Sequence, residues 1–105
     1  MIILPEREKI AKESDVSESV LNTLDAFYTI ASAAQWQTPV SVKQTFPTAD
    51  ILKSGRVIFD INNEYHLVIK INYELQAIRV QFFEKHGNLT QILNTNVYLD
   101  KVQNN

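Results

Sequence analysis

Residues 63–74 read NEYHLVIKINYE, and their strict alternation puts His66, Lys70 and Asn72 on one face of a strand and Tyr65, Leu67, Ile69, Ile71 and Tyr73 on the other. The polar face is the one that can do chemistry. The run at 56–61, RVIFDI, adds Arg56, Ile58 and Asp60 to it, because Val57, Phe59 and Ile61 make its other side the more apolar. A third run, 77–85, adds Arg79, Gln81 and Phe83, provided that Ile78, Val80 and Phe82 serve the core. Cations, an imidazole and an exposed aromatic ring on one surface can hold phosphates and stack on a base. The same set also suits the solvated face that antiparallel sheets commonly present, so the residues alone leave both readings open.

The elements that must position these side chains follow from local signals. Met1 to Leu4 has the composition of a short strand, and Pro5 fixes φ for a brief charged helix running to about Glu13. Asp15, with Glu18 three residues on, predicts the cap of the next helix. In that helix Val20, Leu21, Leu24, Phe27, Tyr28 and Ala31 recur at steps of three and four and form one apolar stripe. Thr38-Pro39 opens a further helical turn, with Thr38 as cap, that Pro47 ends. From Ile51 the period is two: Gly55 marks a bend, Asn62-Asn63 a tight turn tolerant of positive φ, and Glu74 to Gln76 another turn. These signals predict an α+β fold with N-terminal helices packed on one face of a small antiparallel sheet, a meander of three consecutive strands. Tyr28 and Trp36 are expected in the core, and residues 94–105 form either a fourth strand around 97–99 or a loose tail.

A chain of 105 residues, 45% hydrophobic and 21% charged, suits one domain over 1–105 with one core. No apolar run has the length to cross a bilayer, and MIILPEREK carries its charges after a very short apolar patch, the reverse of a secretory signal; a cytoplasmic location is expected. Without secretion, the glycosylation-like Asn88-Leu89-Thr90 is a chance match. The absence of cysteine excludes disulfides and thiolate zinc sites, and two histidines far apart in sequence give a metal centre little to build on, so neither metal nor cofactor is expected. The net charge of −2 argues against a generic nucleic-acid coat. It conceals an asymmetry, however. Residues 1–42 hold six acids and three bases, while residues 43–86 hold five acids, six bases and both histidines.

The succession AAQWQTPVSVKQTFPTADILKSGRVIFDINNEYHLVIKINYE, residues 33–74, resembles the HigB-type toxins of bacterial toxin–antitoxin pairs, within the wider RelE-like superfamily. The resemblance is carried by Trp36, by Pro39 with Val42-Lys43 behind it, and by Asp50-Ile51-Leu52-Lys53 leading to Gly55-Arg56-Val57-Ile58-Phe59. Tyr65, Leu67-Val68 and Ile71-Asn72-Tyr73 extend it, and with the upstream helix and a strand ending at His86 it spans about residues 17–90. It implies a compact fold and a metal-free endoribonuclease that cuts messenger RNA on the ribosome and is silenced by a cognate antitoxin. In such a reaction a ribose 2′-hydroxyl attacks the adjacent phosphate, so one proton must be accepted, another supplied to the leaving oxygen, and extra negative charge stabilised.

Residue by residue, the resemblance makes His86 the histidine that follows the last core strand, and Lys53 and Arg56 the basic residues before and within the first sheet strand. His66 stands where such toxins usually have arginine, Gln81 replaces another arginine, and Leu89 and Thr90 replace a tyrosine and its acidic neighbour. Two expectations follow. In one, His86 and His66 share proton transfer while Lys53, Arg56, Lys70 and Arg79 bind RNA phosphates, with messenger RNA, the ribosome and an antitoxin as partners. In the other, the toxin fold persists as a catalytically impaired module that binds protein or nucleic acid, for example a phage-encoded inhibitor.

Overall fold

The computed structural model describes residues 1–86. Eight elements follow one another: β1 (Ile2–Leu4), α1 (Arg7–Glu13), α2 (Glu18–Ala33), α3 (Pro39–Thr45), β2 (Asp50–Ile51), β3 (Arg56–Ile61), β4 (Tyr65–Asn72) and β5 (Ala77–Lys85). The strands form one sheet in the order β1-β5-β4-β3-β2. Strands β2 to β5 are antiparallel, as the meander requires, whereas β1 joins the outside of β5 in parallel and makes the sheet mixed. The expected strand at 97–99 or tail beyond 94 lies outside the described residues.

The helical layer is built as the apolar stripe dictates. Val20, Leu24, Phe27 and Ala31 of α2 are buried against Val57, Phe59, Leu67, Ile69 and Ile71 of the sheet. Trp36 joins this core, and its indole N–H donates to Thr45 Oγ1 at 3.0 Å. Thr38 caps α3 with Pro39 in the first turn, and Ser41 completes a capping box. The cap of α2 differs from the expected Asp15. Ser17 takes that place and accepts from the Val20 N–H at 3.3 Å, because the chain bends at Ser14 to Val16, packs Val16 against the core, and starts the helix only at Glu18.

Tyr28, half-buried on α2, donates its hydroxyl to the Pro5 carbonyl at 2.7 Å and so ties the helix to the segment after β1. Burial, and secondarily the nearby Glu8 carboxylate, push its phenol from 10.0 up to about 12. The folded protein therefore holds this proton after the unfolded chain has released it. The stabilisation is complete below pH 10 and is lost as pH rises towards 12. Tyr28→Phe is expected to flatten this part of the alkaline loss in a melting-temperature series between about pH 9 and pH 11.5; a slope unchanged in that variant would exclude Tyr28 as its source.

Beyond the helical side, the sheet has a second apolar cluster. Leu52, Ile58 and Val68 are buried on the opposite face, with Phe82 packed on them. This corrects the expected placing of Phe82 and Phe83. The β4–β5 register slips between Val68 and Ile69, so that Ile69 pairs with Val80 and Val68 with Phe82, leaving Gln81 as an extra residue. Past this bulge the parity reverses: Phe83 turns to the helical side, stacked on Tyr65 at 4.7 Å and 9°, and Phe82 turns to the other.

Candidate functional site

The outer face of the three long strands is organised in rows, because paired residues on adjacent strands share a face. Arg56, Lys70 and Arg79 pair across β3, β4 and β5 as one basic row. Two residues along lies the apolar row of Ile58, Val68 and Phe82, and two further lies Asp60, His66 and Glu84. At about 3.3 Å per residue the basic row stands roughly 13 Å from the imidazole of His66. Lys53 occupies the tip of the β2–β3 hairpin, where Gly55 at φ 90° supplies the left-handed residue of the turn.

The basic row has its own support. Arg56 Nε donates to Gln81 Oε1 at 2.8 Å and Nη1 to Ser54 Oγ at 3.3 Å. The bulge residue thus orients a guanidinium, while Lys70 and Arg79 extend exposed from the middle and far strands.

The acidic end of the face holds an arrangement that the separation of the histidines in sequence concealed. Asn62 and Asn63, both at φ 57°, fold β3 back on β4 and set Asp60 opposite His66. His86 follows β5 directly, and its backbone N–H donates to the Glu64 carbonyl at 3.1 Å. The two imidazoles then stack, centroids 4.1 Å apart and planes 21° from parallel. Asp60 Oδ1 lies 2.9 Å from His86 Nε2 and 4.0 Å from His66 Nε2. Its other oxygen accepts the Asn63 N–H at 3.1 Å, which fixes the direction of the carboxylate. Helix α2 steadies this turn: Thr23 Oγ1 donates to Asn62 Oδ1 at 2.5 Å, and Asn62 Nδ2 donates to Ser19 Oγ at 2.9 Å.

His66 is the more enclosed of the pair, its side chain 25% exposed against 42% for His86. Burial, and then the neighbouring His86, hold its imidazole below the usual histidine range, with Asp60 and Asp50 pulling in the opposite direction. Its Nδ1 is buried without a hydrogen-bond partner. The structure therefore brings His66 and His86 together and aligns Arg56, Lys70 and Arg79, but it keeps the two groups apart. Asp60 and Glu84 complete the imidazole end. Asp60 was recognisable in the sequence, since a two-asparagine turn at 62–63 sets it near His66; Glu84 was not, because the bulge decides which face it shares.

Helices on one side of a small sheet, with basic and imidazole side chains displayed on the other, make a compact α+β protein, an architecture consistent with RelE-like toxins. Residues 21–92 match the HigB toxin family, the RelE-like toxic component of a toxin–antitoxin system. The chain belongs to that family, and membership implies an antitoxin partner. No curated protein matched the sequence. Among the described residues no helix is long and apolar enough to cross a membrane.

Proposed function

We propose that this toxin is an RNA endonuclease acting on messenger RNA at the ribosome, in which His66 and His86 carry the two proton transfers. The supporting observation is their convergence: two rings, one on β4 and one directly after β5, stack beside one oriented carboxylate, on the face that also carries three aligned cations. One ring accepts the 2′-hydroxyl proton, the other supplies a proton to the departing 5′-oxygen, and Asp60 orients the pair. Arg56, Lys70 and Arg79 hold a neighbouring stretch of the phosphate backbone, with Lys53 at its margin.

The test is cleavage of messenger RNA by the purified chain with and without ribosomes, alongside growth on induced expression. Lys70→Glu with Arg79→Glu is expected to weaken RNA binding at least about ten-fold at moderate salt and to make the salt dependence shallower. Unchanged binding and slope in that double variant would remove the basic row from the RNA path.

A second reading has its own observation. Asp60 and Glu84 flank His66 on the adjacent strands, which sets negative charge where a phosphate would have to approach. That favours a catalytically impaired toxin fold that serves as a binding module. Normal growth with abundant soluble chain, and no RNA cleavage, would select this reading.

A further inference from the structure

Asp60, His66 and His86 each offer a donor atom, and these donors all lie within 4.8 Å of one another. Two imidazoles and one carboxylate are a donor set that suits divalent first-row metals such as Zn2+, leaving the remaining coordination positions to water. Bonds of about 2.0–2.2 Å in a tetrahedral array place donor atoms roughly 3.3 Å apart. The contact of 2.9 Å between Asp60 Oδ1 and His86 Nε2 needs to open only slightly to reach that spacing, while the 4.0 Å from the same oxygen to His66 Nε2 must close.

The surroundings allow these movements. His66 breaks no hydrogen bond at Nδ1 when its ring turns out of the stack, since that atom has none. The His86 side chain, 42% exposed, is the less enclosed of the two rings. Asp60 needs no reorientation, because the Asn63 N–H already holds its second oxygen, as outer partners hold metal-bound carboxylates.

We propose that Asp60, His66 and His86 form a binding site for a divalent transition metal of the Zn2+ class, whose occupancy takes up the ring nitrogens needed for proton transfer. The silencing of cleavage rests on the nuclease reading above; the metal site does not. A transition metal becomes an inhibitor of the toxin, bound by the residues that would act on RNA.

Binding of Zn2+ alone to the full chain, followed by competition with a chromophoric chelator, tests the site. One ion per chain is expected, with affinity reduced about ten-fold in Asp60→Asn and about 100-fold or more in His66→Ala and His86→Ala. Equal affinity in all four proteins overturns the proposal. Imidazole 15N resonances provide a second readout that does not depend on the variants folding. Zn2+ is expected to shift His66 and His86 together at one equivalent, and a shift of His86 alone overturns the proposal. A chain that binds Zn2+ in this way yet cuts no RNA supports the metal site while sinking the nuclease reading.

Discussion

Replacing His86 by alanine is expected to lower RNA cleavage by roughly 10²–10⁴-fold, the usual contribution of a positioned acid–base group, and to relieve growth arrest on induced expression. The substitution isolates chemistry from folding. His86 follows β5 directly with its side chain 42% exposed; alanine keeps the backbone hydrogen bond to the Glu64 carbonyl and gives up only the contact with Asp60 and the stack on His66. A stability loss of no more than about 1 kcal/mol is expected, because the contacts given up are part-exposed. His66→Ala should lose activity to a similar degree. The double variant should fall little further than the worse single one, because groups that act as a unit are not additive. Asp60→Asn keeps the shape of the carboxylate and is expected to lose less, through poorer orientation of the rings. Full toxicity in His86→Ala, with cleavage unchanged in vitro, would show that the proton-transfer groups lie elsewhere.

The sequence revealed more of the fold than of the site, for reasons that individual residues make plain. Alternation from Arg56 to Ile61 and from Tyr65 to Asn72 fixed both faces of β3 and β4, since a one-residue slip would bury Lys70 and expose Leu67. Thr38-Pro39 and Asn62-Asn63 were legible because cap and turn chemistry is local. The pairing of β1 with β5 was not, because a parallel neighbour leaves no turn signal in the chain. Nor was the bulge at Gln81. Extending β4–β5 pairing outward from the turn at 74–76 puts His66 opposite Phe83 and sends Phe83 to the outer face; one unpaired residue moves Glu84 into that position instead. Phe82 and Phe83 are both aromatic, so hydrophobicity could not say which faced the helices. The meeting of His66, His86 and Asp60 depends on that same slip, which is why a metal-ligating cluster was hidden in a sequence with only two histidines.

Val68→Asp is the stability change that separates this fold from a sheet with a simply wet outer face. Alternation puts Val68 on the same face as His66 and Lys70, where an aspartate would be harmless if water covered the surface. In the structure Val68 is 0% exposed and packs with Leu52, Ile58 and Phe82. A carboxylate there has no cation or hydrogen-bond donor of the basic row in its own layer, and it must either ionise in apolar surroundings or take up a proton. The expected loss is about 3–5 kcal/mol, a large share of the roughly 5–15 kcal/mol typical of a domain, read as a lowered midpoint in urea. Lys70→Asp, two residues along the same strand and exposed, provides the control, with an expected change within about 0.5 kcal/mol. A parental midpoint for Val68→Asp would dissolve the second apolar cluster. It would also remove the packed row that sets the spacing between the basic side chains and the imidazoles, and with that the rigid frame on which a bound RNA strand would be registered.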